Sequence, residues 1–194
     1  MEQLTFIAAA LSLLATPGPT NTLLATSGAE AGLRRSLPLL GAELVGYLVA
    51  ILLLRALIGP LMAANPHFAA ALRGVVVVYL LYLAWALWRR GARAINVGGA
   101  ITFPRVFVTT LLNPKAIIFS FTLLPQRGDI GELAPWFSML SLQIVTVGLG
   151  WILLGHMLRR RFRELGSARI GYRISALILV ALAGMIGGHS LSLA

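Results

Sequence analysis

Asn113-Pro114-Lys115-Ala116 lies near the middle of an apolar run, residues 104–124, that is long enough to cross a roughly 30 Å hydrocarbon core. It sets a helix breaker and a cation side by side where an uninterrupted spanning helix tolerates neither cheaply. A matching interruption, Thr16-Pro17-Gly18-Pro19-Thr20-Asn21, falls inside the run 4–26. Pro17 and Pro114 stand 97 positions apart in a chain of 194, which is half its length. Two breaks at equivalent places in two halves are a sequence pointer to a binding site at the membrane midplane.

Working outward, four further windows read as spans, at about 37–58, 70–88, 134–157 and 172–192. The composition agrees: 58% of the chain is hydrophobic and only 11% charged, against about 25% charged in a soluble domain. The expected fold is therefore an all-α membrane protein of six transmembrane helices. It is expected to form one domain over 1–194, with almost nothing left for an extramembrane domain. Three spans per half is an odd number, so a duplication into halves of about 1–95 and 96–194 must be inverted, a 3+3 repeat with helices 1 and 4 broken at their proline motifs. The first span begins Met1-Glu2-Gln3, lacks a basic leader, and reads as a retained helix rather than a secretory signal.

The formal net charge of +10 reads as loop charge in this setting, and not as the footprint of a nucleic-acid binder. Arg34 and Arg35 follow span one. Arg89, Arg90, Arg93 and Arg105 follow span three, and Arg159, Arg160, Arg161, Arg163, Arg169 and Arg173 follow span five. The opposite face carries only Arg73 and Arg127. Positive charge stays cytoplasmic, so both termini are expected on the outer side. Arg55 lies about a turn from the outer end of span two, where it is expected to snorkel.

The physics of the breaks follows from the residue types. Pro17 and Pro19 remove backbone donors, and Gly18 between them accepts dihedrals that other residues avoid. Asn113 is a good cap for a helix restarting at Pro114, and Thr20 and Asn21 supply polar groups to the freed backbone. Both restarted half-helices would present N-termini to the membrane centre and favour an anionic group there. Lys115, about 16 Å deep by a 1.5 Å rise per residue, needs a partner or a wet cavity. The candidate is Glu43 in Gly41-Ala42-Glu43-Leu44-Val45-Gly46-Tyr47. The two form either a mutually neutralising pair that locks the spans or a bracket for a zwitterion, with Lys115 toward its carboxylate and Glu43 toward its amino group. In the second case, protonation of Glu43 couples the cycle to the proton gradient.

The candidate substrate-binding set is thus Pro17, Gly18, Pro19, Thr20, Asn21, Glu43, Asn113, Pro114 and Lys115, with Glu43 also the proton-coupling group. Gln143 with Ser138, Ser141 and Thr146 gives span five a polar stripe that lines a cavity or bonds between helices. Tyr79, Tyr82, Trp85 and Trp88 read as a packing face or interfacial belt, and Gly184, Gly187 and Gly188 as a close helix contact within the monomer or at a homodimer seam. Cysteine is absent, and His156 and His189 have no partners at ligand spacing, so no metal site and no cofactor are expected. Without a phosphate loop or a catalytic constellation, the chain is expected to be no enzyme and to draw on a gradient.

The opening Thr16-Pro17-Gly18-Pro19-Thr20-Asn21, the aromatic Tyr79-Leu80-Leu81-Tyr82-Leu83 with Trp85, and Asn113-Pro114-Lys115-Ala116 followed by Pro125-Gln126 resemble the LysE/RhtB family of amino-acid exporters along nearly the whole chain. The resemblance implies a bacterial inner-membrane protein that exports amino acids on the proton motive force. The family commonly has Asn directly after its Pro-Gly-Pro, whereas here Thr20 intervenes before Asn21. The residues alone also admit an exporter of inorganic ions, or a non-transporting scaffold whose basic loops lie on anionic lipid. A scaffold would leave Lys115 dispensable and the paired breaks without a purpose.

Overall fold

The computed structural model describes residues 3–90, 100–126 and 130–158, together with the helical positions 177, 180 and 184. The arginines from 159 to 173, His189, Gly187, Gly188 and most of the expected span 172–192 lie outside the described residues. Every element among the described residues is helical: α1 (Gln3–Ala15), α2 (Pro19–Glu30), α3 (Leu33–Ser36), α4 (Pro38–Ala64), α5 (Pro66–Arg90), α6 (Phe103–Leu111), α7 (Lys115–Ile118) continuing into a π-helical turn (Phe119–Leu123), and α8 (Ile130–Leu158). Among the described residues, two stretches are long and apolar enough to cross a membrane, Leu33–Met62 and Gly131–Met157. A third qualifies only as a pair, Phe103–Leu111 with Lys115–Leu123, bent by 51°.

Sequence chemistry sets these boundaries. Pro19, Pro38 and Pro104 each sit in a first helical turn, where the missing N–H costs nothing. Gly32, at φ +83°, makes the turn between α2 and α3 in a left-handed conformation that a side chain would strain. Pro66 follows Asn65, whose Oδ1 accepts from His67 N and Phe68 N and so caps the start of α5.

The packing combines exposed apolar faces with buried polar residues beside an apolar core. Leu52, Leu53, Leu57, Leu61, Val75, Val78 and Leu142 are exposed, as lipid-facing side chains must be, whereas Thr20, Asn21, Glu43, Asn113 and Lys115 are buried. Phe6, Leu13, Leu14, Tyr47, Ile51, Phe119, Leu140 and Ile144 join α1, α4, the π turn and α8 in one apolar cluster. Two edge-to-face ring pairs fix it, Phe6 with Trp136 at 5.1 Å and Tyr47 with Phe119 at 5.7 Å. A second cluster, of Leu23, Leu24, Leu39, Val106 and Ile152, lies beside α2 and α8.

Candidate functional site

The backbone between α1 and α2 opens because Pro17 and Pro19 have no N–H to offer the last turn of α1, and Gly18 between them is fully extended at φ −156°, ψ 178°. The freed carbonyls are met by side chains. Asn21 Nδ2 donates to Leu14 O at 2.7 Å and Thr16 O at 2.9 Å. Lys115 Nζ donates to the same two oxygens, at 3.4 and 2.7 Å. The lysine reaches them by passing over Gly18, where an added Cβ would lie 3.5 Å from its Cε and Nζ.

The second break is organised by Asn113. Its Oδ1 accepts from Lys115 N at 3.1 Å, and its main-chain carbonyl accepts from Ala116 N at 2.9 Å. Asn113 thus caps the restart, with Pro114 as the first residue past it. Because Oδ1 faces a backbone N–H, the amide orientation is fixed and Nδ2 must be the donor to Tyr47 Oη at 3.1 Å and Thr20 Oγ1 at 3.2 Å. Thr110 Oγ1 spends its proton on Val106 O at 2.8 Å, so the 3.1 Å contact between the two threonines has Thr20 donating to Thr110. The direction of the whole chain is therefore set: Asn113 gives to Thr20, Thr20 to Thr110, and Thr110 to its own helix.

Two groups remain unspent. Tyr47 accepts from Asn113, and among the described residues its own phenolic proton has no acceptor. Glu43, only 1% exposed, has a buried Oε2 with no hydrogen-bond partner. It lies one turn before Tyr47 on α4 and feels the charge of Lys115. Across from it, α8 presents Gly148, where a Cβ would run into Glu43 Oε2.

The structure brings Thr16 through Asn21 together with Asn113 and Lys115, and sets Glu43 beside them on α4. Thr20 and Asn21 divide the work, Asn21 holding the end of α1 and Thr20 joining the Asn113 chain. Sequence reasoning missed Tyr47 and Thr110. Tyr47 was within reach, since it stands four residues after Glu43 and so shares its helix face. The polar stripe on α8 divides: Ser138, Ser141 and Thr146 bond back to carbonyls of their own helix, and only Gln143 is buried, with its Oε1 unpartnered. Among the described residues no group of His, Cys, Asp and Glu is arranged to hold a metal ion.

Arg55 has protein partners at its end of α4. In the π turn Leu124 N bonds back five residues to Phe119 O, which leaves Ser120 O without its helical donor. Arg55 Nη1 and Gln126 Nε2 fill it at 3.3 and 2.9 Å, and Arg55 Nη2 holds Pro125 O at 2.6 Å. Arg55→Met strips these charge-assisted bonds and is expected to cost about 2 kcal/mol, read as a lower thermal unfolding midpoint in detergent.

The chain matches the LysE type translocator family over residues 11–187. It is 28% identical over 180 residues to a cysteine/O-acetylserine efflux protein of Klebsiella pneumoniae subsp. pneumoniae, covering 90% of this chain and 91% of the relative. It is also 31% identical over 165 residues to a protein of the same description from Salmonella choleraesuis, covering 78% and 80%. The corresponding protein of Escherichia coli K12 is 27% identical over 161 residues, again covering 78% and 80%. No solved structure matches. The family match covers most of the chain, it agrees with a buried polar centre set among exposed apolar helix faces, and the protein belongs to the LysE type translocator family.

Proposed function

We propose that this protein exports a small neutral amino acid or close derivative, of the size of cysteine or O-acetylserine, across the bacterial inner membrane in exchange for protons. The observation that carries the reading is the unspent pair on α4, the phenolic proton of Tyr47 and the lone Oε2 of Glu43. A zwitterion needs one cluster of donors for its carboxylate and one acceptor for its ammonium. Lys115, with three N–H donors and two carbonyls already engaged, supplies the charge for the first and has a donor to spare. Pro19 opens α2, whose N-terminus adds a favourable dipole to the same end. Glu43 supplies the second and carries the coupled proton, since a buried carboxylate cannot stay both charged and unpaired through a transport cycle.

In this reading the chain crosses the membrane six times as an inverted 3+3 repeat, with both termini periplasmic and the breaks after α1 and α6 as equivalent midplane features. The names of the relatives support the substrate class, and the arginine distribution supports the orientation. The test is flux of labelled amino acids in proteoliposomes under an imposed pH gradient. Gradient-driven flux of cysteine, O-acetylserine or serine above that of charged amino acids is the expected result. Flux that ignores the pH gradient overturns proton coupling, and folded protein with no amino-acid flux overturns the substrate class.

A further inference from the structure

Lys115 is placed oddly for the charge it carries. It is the first residue of α7, where the backbone is electropositive, yet its side chain leaves that helix and ends on the carbonyl end of α1. That end carries a partial negative charge, and because the backbone is extended at Gly18 the oxygens of Leu14 and Thr16 lose their helical donors, Gly18 N and Thr20 N. Carbonyls at an unwound helix end inside a membrane have the chemistry that coordinates a small monovalent cation in transporters with broken helices. We propose that Leu14 O and Thr16 O form a monovalent-cation seat, and that the ammonium of Lys115 is a cation built into it in place of a dissociable alkali ion.

Four features of the surroundings fit. The seat is deeply buried, Lys115 being 3% exposed and Thr16 and Leu14 less. Gly18 leaves room beside the oxygens, because no Cβ stands between them and the incoming side chain. Asn21 holds the same two carbonyls from α2, which fixes their spacing before any cation arrives. Glu43 from α4 balances the charge through space, and among the described residues no other acidic group acts on Lys115. The remaining polar neighbours, Tyr47 and Asn113, are neutral. The covalent tether makes the cation permanent, so the unmodified protein has no use for external sodium. Position 115 is then what decides whether transport depends on an alkali ion.

The proposal rests on the exporter reading only for its flux arm, so its primary test needs no substrate. Full-length protein and its Lys115→Ala and Lys115→Met variants are purified in detergent and melted in equal concentrations of sodium chloride and choline chloride. The unmodified protein is expected to melt at the same temperature in both. Lys115→Ala, with the seat empty, is expected to be less stable in choline and to regain about 5 °C in saturating sodium, the shift that binding at roughly a hundred times Kd gives a chain of this size. Lys115→Met, whose side chain fills the space without charge, is expected to gain nothing from sodium.

A sodium response in the unmodified protein, an equal response in both variants, or none in Lys115→Ala overturns the proposal. Should Lys115→Ala fail to survive extraction in choline, its recovery as a monodisperse species by extraction in sodium chloride is the same supporting result. If it survives neither salt, Lys115→Ser, whose short side chain also leaves the seat empty, is melted in its place, and absence of a sodium shift there overturns the proposal. In proteoliposomes, Lys115→Ala is expected to show amino-acid flux that sodium stimulates about tenfold or more relative to choline, the factor that some 1.4 kcal/mol of differential binding supplies. Absence of amino-acid flux in the unmodified protein would defeat the exporter reading and leave the melting result to decide the seat.

Discussion

Glu43→Gln is expected to leave a folded protein that binds and exchanges substrate but no longer exports against a gradient, with pH-driven flux falling to the level of empty liposomes. The substitution keeps the shape of the side chain and removes only its ability to gain and lose a proton. Glu43 Oε2 has no hydrogen-bond partner among the described residues, but the amide takes away the carboxylate that faces the Lys115 charge, so a stability loss of about 1–3 kcal/mol is expected, short of unfolding. Exchange of labelled for unlabelled substrate across the same liposomes separates binding from coupling. If the variant still responds fully to the pH gradient, the coupled proton is carried elsewhere. Gly148→Ala probes the same carboxylate without altering its chemistry. The added methyl would run into Glu43 Oε2, and its other neighbours are Leu40 Cδ2 and Leu24 Cδ1, the ends of side chains that can move. Export is therefore expected to fall in this variant with little loss of stability.

Residue type made part of this site legible and distance in sequence hid the rest. Proline, glycine and an intramembrane lysine announce themselves, because each violates what a spanning helix wants. The positions 16–21 and 113–115 could be read directly for that reason, and so could the helical windows 37–58, 104–124 and 134–157, which match α4, the α6 to π-turn stretch and α8 to within a residue at the ends that overrun. Tyr47 and Thr110 carry no such mark. A tyrosine and a threonine are ordinary in apolar helices, and their roles come from Asn113 and Thr20, 66 and 90 residues away from their respective partners. The partners of Arg55 were hidden for a related reason. Snorkelling follows from depth alone, whereas the bond to Ser120 O exists because the π turn frees that oxygen, and no pattern in residues 119–123 foretells a π turn. On α8, four polar residues look alike in sequence, yet three satisfy themselves on their own helix and only Gln143 turns inward.

The largest effect on the fold is expected from Gly155→Ala. A Cβ at Gly155 would fall on the carbonyl of Ala25, and a Cβ at Gly28 on the carbonyl of Ile152. The pairs run in opposite order along the two chains, so α2 and α8 cross antiparallel with backbone against backbone, each contributing one glycine. Without a hydrophobic force to drive helices together in lipid, such close approach supplies the dispersion and dipole contacts that hold them. The obstacle in both cases is main chain, which cannot rotate away as a leucine tip can, so the helices must separate. A cost of about 3 kcal/mol or more follows from overpacking of this kind. Gly150→Ala on the same helix is the control: nothing lies within 4 Å of its added methyl, and its effect is expected to be neutral or favourable by up to about 1 kcal/mol from helix propensity. Thermal unfolding in detergent compares the two, and equal midpoints would show that the α2–α8 contact is looser than its geometry says. Loss at Gly155 reaches the site as well, because α2 carries Thr20 and Asn21 at its other end. A shift of α2 away from α8 pulls Asn21 off the carbonyls of α1 and Thr20 off Thr110, so export is expected to fall together with stability, in contrast to Gly148→Ala, where it falls alone.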